Sequence, residues 1–118
     1  MIMAKPEATN EFCFVYSTFP NKAAALASAR VLIEKKLAAC VNIYPPMTSV
    51  YVWEGNQEEA SEVGVFIKTR RALVDEAVET AWAIHPYSVP CFVVLPIEAG
   101  TPDYLAWVRE QTERPVTV

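Results

Sequence analysis

The residues able to do chemistry in this chain are few and easily named. His85 is the one histidine in 118 residues, and it stands at the expected end of a helix, just before Pro86 and Tyr87. A histidine in that place can cap the helix dipole. It can equally serve as a metal ligand, because neutral imidazole is a common donor to copper and zinc. Of the three cysteines, Cys91 is nearest to His85 along the chain, and Cys40 opens a strand-like run. A free cysteine is most often a small buried hydrophobe, which is the first reading for Cys40, with metal ligation the second. His85, Cys91 and Cys40 thus make the candidate metal set, with copper first and zinc second, weakly bound. One imidazole and one thiolate supply two ligands, so a site needs water, Glu62 or a second subunit to fill its coordination shell.

A thiol and an imidazole also suggest a different chemistry, an activated cysteine nucleophile built from Cys40 or Cys91 with His85. The surroundings argue against an enzyme. There are only three glycines, no glycine-rich phosphate loop, and no partner in evidence to orient His85. Glu58, Glu59 and Glu62 lie near a turn and read first as an exposed acidic loop. Tyr87 and Trp107 read as core residues.

A chain of 118 residues supports one domain with a core of its own. The apolar fraction of 53% and charged fraction of 20% suit a globular protein with more buried surface than a small monomer needs. Net charge is −4, and the basic runs stop at Lys35 with Lys36 and Arg70 with Arg71, which argues against nucleic acid or an anionic membrane as partner. No apolar run reaches the roughly 20 residues of a membrane span. Residues 1–10 lack the apolar core of a signal peptide and read as a flexible tail ahead of a single domain over 11–118. The odd cysteine count, without a close pair, suits reduced thiols in a cytoplasmic protein.

The elements that must position these groups follow from periodicity. Residues 12–17 form an apolar strand. Asn21 is an N-cap for an alanine-rich helix to Leu37, with Leu26, Ala29, Ile33 and Leu37 as its apolar ladder. Residues 40–44 and 49–53 are rich in β-branched and aromatic types, and Pro45 with Pro46 forces an edge or a bend between them. A turn at Glu54, Gly55 and Asn56 leads to a return strand over 63–68. A helix over 72–85 carries Leu73, Ala77, Ala81 and Ile84 inward and is stopped by Pro86 and Pro90. Residues 91–97 form a strand, and Thr101, Pro102 and Asp103 start a last helix.

Strand–helix–strand thus occurs twice, joined by a hairpin. Closing that order with right-handed crossovers gives an α+β, ferredoxin-like βαββαβ fold: a four-stranded antiparallel sheet, two helices on one face, and a C-terminal helix added. One sheet face is left bare, with Phe66, Tyr51 and Trp53 available to occupy it. Exposed apolar area of that size marks an interface, and a second copy of the chain is the expected cover.

The run KLAACVNIYP, then SVYVWEG, Glu58, Glu62, Lys68 with Thr69, HPYSVPCFVVLPI and DYLAWV together resemble the CutA-type divalent-cation tolerance proteins, in their order and at about their spacing. The resemblance covers roughly Phe12 to Val108. It implies a ferredoxin-like fold, a homotrimer and a link to copper and other divalent metals. It also implies that Tyr51, Trp53, Glu58, Glu62 and Lys68, with Tyr87, line an intersubunit cleft for a small ligand. Ser88 and Cys91 stand where the family often carries carboxylates, which weakens a hard oxygen site and favours a softer metal. The function expected is a homotrimeric binder of divalent metal or a small ligand in metal tolerance. A cysteine–histidine enzyme and a trimeric scaffold for another protein are the alternatives.

Overall fold

The computed structural model describes residues 4–114. In chain order the strands and helices are β1 Glu7–Ala8, β2 Phe12–Phe19, α1 Lys22–Glu34, β3 Cys40–Ile43, β4 Met47–Trp53, β5 Asn56–Arg70, α2 Val74–Ala83, β6 Phe92–Pro96, β7 Ala99–Gly100 and α3 Pro102–Gln111. The main sheet runs β3-β5-β2-β6, all antiparallel, with β4 pairing β5 beyond it. This is the ferredoxin-like order the sequence predicts.

Alternation along the strands divides the faces. Cys13, Val15 and Phe19 of β2 and Val63, Val65 and Ile67 of β5 are buried, and α1 and α2 pack on that face through Ala25, Leu32, Val74, Ala77 and Ala81. The α1 ladder is therefore shifted from the expected one, because in an alanine-rich helix the apolar stripe is ambiguous by a residue. Ala25, Ser28, Ala29 and Leu32 face inward, and Ile33 is 44% exposed. Ile84 likewise lies outside the inward face of α2. Asn21 does cap α1, its Oδ1 accepting from the Ala24 N–H at 2.9 Å. At the other end Lys36 adopts φ 57°, and the amides of Lys36 and Leu37 close onto the carbonyls of Ile33 and Leu32. That is a Schellman closure with lysine in the position glycine favours.

The opposite face carries Phe14, Tyr16 and Phe66, whose rings gather with Tyr44, and Val93 and Leu95 beside them. Helix α3 covers one end of it through Leu105 and Val108, against Phe12. Arg70 holds the C-terminal end of α3, its guanidinium donating to the Thr112 hydroxyl and carbonyl at 2.8 and 2.9 Å. Trp107, read as core, is 41% exposed and packs instead on Tyr104 one turn earlier. The segment read as a loose tail is tied from Glu7, since β1 pairs β7 through Glu7 with Gly100 and Ala8 with Ala99; residues 1–3 lie outside the described residues.

The largest difference from expectation is β5. It is 15 residues long, beginning directly after a two-residue turn in which Glu54 and Gly55 have φ 51° and 83°. Positive φ at both positions is the hairpin geometry that continues strand twist. Asn56 is already paired with Trp53, so Glu58, Glu59 and Glu62 lie on a strand and not in an acidic loop. At about 3.3 Å per residue β5 runs roughly 50 Å, nearly the whole 54 Å long axis of the molecule. The radius of gyration, 15.9 Å, exceeds the roughly 13.5 Å of a compact domain this size. The excess is the β4–β5 arm, which stands out from the sheet.

Candidate functional site

The arm and the segment after α2 enclose a cleft of about 750 Å³. Cross-strand register sets one wall: Tyr51 stands opposite Glu58 and Trp53 opposite Asn56, and alternation puts Tyr51, Trp53 and Glu58 on a common side with Glu62. The other wall is the turn after α2, held by Pro86 and Pro90, from which Tyr87 and Cys91 face the same space. The Tyr87 hydroxyl bridges the walls, donating to Glu62 Oε2 at 2.7 Å. Burial holds the Tyr87 phenol well above its ordinary range, and the bond to Glu62 and that carboxylate's charge add to the effect. Tyr51 is raised for the same reasons: desolvation first, then the charges of Glu58 and Glu62.

Five of the six residues expected in a ligand cleft, Tyr51, Trp53, Glu58, Glu62 and Tyr87, are therefore brought together within one chain. Lys68 is not among them. It lies on the bare sheet face in a separate hollow of about 230 Å³ with Asn42, Tyr44 and Phe66, its Nζ 5.3 Å from the Phe14 ring centre and 5.5 Å from that of Tyr104. Tyr51 and Trp53 lie on the arm, on the same side of β5 as Phe66, and so carry the bare face on past the sheet.

The three candidate metal residues do not converge on one point. His85 stacks on Phe19 with ring centres 4.3 Å apart, and both its nitrogens are engaged. Nε2 lies 2.8 Å from the Thr18 carbonyl oxygen, which can only accept, so Nε2 carries the proton; Nδ1 accepts from the Tyr87 N–H at 3.1 Å. The ring neither caps α2 nor presents a lone pair outward; it fixes the Tyr87 turn to β2. Cys40 pairs with Lys68, and Lys68 with Phe14, so it lies two strands across and four residues along from Thr18. That is roughly 10 Å by 13 Å on sheet spacings. Its sulfur accepts from Asn42 at 3.7 Å. Cys91 is exposed on the cleft wall, and its carbonyl accepts from the Ser17 hydroxyl at 2.6 Å. Among the described residues no three His, Cys, Asp or Glu side chains converge to hold a metal ion. A metal held by His85, Cys91 and Cys40 does not fit this donor geometry.

The sequence reading missed the contribution of residues 56–62 as a strand wall, and of Pro20, Val50 and Val89 to the lining. The two-residue turn was the available signal, since it requires the return strand to begin at once.

A ferredoxin-like sheet extended by a two-stranded arm, with an acidic and aromatic cleft at the arm's base, defines the class of this protein. Residues 13–111 match the family model described as CutA1 divalent ion tolerance protein. The chain is 47% identical over 98 residues to protein CutA of Mus musculus, covering 83% of this chain and 55% of that one. It is 43% identical over 98 residues to the divalent-cation tolerance protein CutA of Thermus thermophilus, covering 83% and 95%. Among solved structures, the periplasmic divalent cation tolerance protein CutA of Archaeoglobus fulgidus superposes with a TM-score of 0.84 at 41% identity, over 86% of this chain and 99% of that one. CutA of Synechococcus elongatus gives 0.90 at 26% identity, over 96% and 100%. The chain belongs to the CutA1 divalent ion tolerance family. It spans about half the length of the mouse and human relatives it matches and nearly all of the Thermus and Archaeoglobus ones. No helix among its described residues is long and apolar enough to cross a membrane.

Proposed function

We propose that this protein is a non-catalytic, homotrimeric binding protein in divalent-cation tolerance, with the arm cleft as its ligand site. The observation that carries this reading is the cleft itself: the arm and the Tyr87 turn, far apart in sequence, meet around two carboxylates and three aromatic rings. A pocket of this kind, mostly apolar with a few placed polar groups, is where small ligands bind. The non-catalytic part rests on His85, whose nitrogens are committed to Thr18 and Tyr87 and activate neither Cys40 nor Cys91. Assembly rests on the protruding arm and the aromatic sheet face, apolar surfaces that a monomer leaves in water.

The assembly test is light scattering of the full chain at micromolar concentration, with three chain masses expected and one chain mass refuting it. Val52 is 69% exposed and lies on the side of β4 away from Tyr51. Val52→Glu should therefore break assembly without unfolding the chain. The ligand test is calorimetric titration of tag-free protein with copper and then zinc, in wild type, Glu62→Gln and His85→Ala. Binding lost in Glu62→Gln and kept in His85→Ala supports the cleft, and the reverse pattern refutes it.

A further inference from the structure

We propose that the cleft takes an organic cation, a small molecule with an ammonium group on an apolar or aromatic body. This rests on the reading of the cleft as the ligand site and names what the site selects. Among the described residues of the chain, Glu58 and Glu62 are the only charged side chains lining it, and none of the lining residues is Lys, Arg or His. Lys68, the cation the resemblance groups with them, sits in its own hollow on the sheet face and not in the cleft of its own chain.

The Tyr87 O–H donates to Glu62 Oε2 and leaves Oε1 for a second donor. The same negative field raises the phenols of Tyr51 and Tyr87, after burial. Tyr51, Trp53 and Tyr87 add ring faces, which attract cations and repel anions. Charge alone does not separate an ammonium compound from a metal ion; the rest of the lining does. Pro20, Pro86 and Val89 offer apolar wall that a hydrated ion does not use. A volume of about 750 Å³ falls within the roughly 300–1,000 Å³ of pockets for drug-sized molecules. Phosphates, nucleotides and carboxylates meet two like charges and no cation.

The test is a matched series differing only in charge: 3-phenylpropylammonium, 3-phenylpropanol and 3-phenylpropionate, titrated calorimetrically into the full chain at low salt. The ammonium compound should bind at least about tenfold more tightly than the alcohol, with no heat from the carboxylate. The double variant Glu58→Gln with Glu62→Gln should erase that preference, since both glutamines keep the shape of the wall and remove its charge. Added salt should weaken only the ammonium compound. Equal binding of all three, tighter binding of the carboxylate, or an ammonium preference that survives the double variant each overturns the inference. Copper bound at the same two glutamates without any ammonium preference leaves the cleft a binding site and removes the organic cation. If neither copper nor any of the three compounds binds, both readings fall.

Discussion

Replacing Ser28 by alanine should stabilise this protein. Ser28 is on the inward side of α1, 3% exposed, and its hydroxyl has no hydrogen-bond partner among the described residues. A buried hydroxyl left unpaired costs about 1–3 kcal/mol, which the substitution removes. Alanine in a helix interior adds roughly 0.5 kcal/mol over serine. Against this stands the small void left by one oxygen, smaller than a methyl cavity and so costing less than about 1 kcal/mol. The net expectation is a gain of about 1–2 kcal/mol. Ser17 is the control. It is equally buried, but its hydroxyl donates to the Cys91 carbonyl at 2.6 Å, so Ser17→Ala should cost about 1 kcal/mol. Urea unfolding at one fixed protein concentration reads both, so that the comparison carries no concentration dependence. The Ser28→Ala midpoint should rise and the Ser17→Ala midpoint fall, with unchanged slopes. A fall in both midpoints would show that the Ser28 hydroxyl is satisfied in solution, and the reasoning would fail.

Lys36→Gly should raise the urea midpoint by the equivalent of about 0.5–1 kcal/mol, because a left-handed conformation is costly for any residue but glycine; a lowered midpoint would show that the lysine stem packs. The Tyr87 phenol is raised when folded, so its contribution to stability is present below about pH 10, the ordinary phenol value, and is lost as pH rises toward the folded value. Tyr87→Phe should flatten the alkaline loss in urea melts, and absorbance at high pH should show one fewer late-titrating phenol. The Arg109 guanidinium, donating to both oxygens of Glu11, holds that carboxyl below its ordinary value. Its contribution is present above the unfolded value and lost as pH falls through the folded one, so Glu11→Gln should blunt acid destabilisation below about pH 4.5. The effect is small and salt-sensitive, since both side chains are partly exposed.

The parts of the fold legible in the sequence were those with one strong local signal. The apolar run of β2, the Asn21 cap, and the proline stops after α2 each point to one structure, and the strand–helix–strand order left few topologies. What escaped was set by neighbours. Residues 56–62, NQEEASE, are poor strand formers by composition, and they pair because β4 lies beside them in the arm. Trp107 has a core-like side chain, yet α3 turns Leu105 and Val108 to the sheet and leaves the ring on Tyr104. In the candidate site the aromatic and acidic residues were recognised; Lys68 was grouped with them through the family resemblance, and within one chain it occupies the other end of the 15-residue strand. His85 was read from its place after a helix; its commitment to Thr18, 67 residues away, is a tertiary fact.

The length of β5 has a mechanical side. One unbroken backbone serves as the inner strand of the sheet and as half of the arm, while the opposing strand is two pieces, β3 and β4, hinged at Pro45 and Pro46. The arm is therefore a cantilever whose root is clamped between β3 and β2. Its length can change in steps of two residues on each strand without turning Tyr51, Trp53, Glu58 or Glu62 away from the cleft, because strand side chains repeat every second residue. A single-residue insertion outboard of the clamp would rotate every side chain beyond it to the opposite side and leave the helix-covered core as it was. Reach and facing are thus separately adjustable in this architecture, the first by paired lengthening and the second by a slip of one.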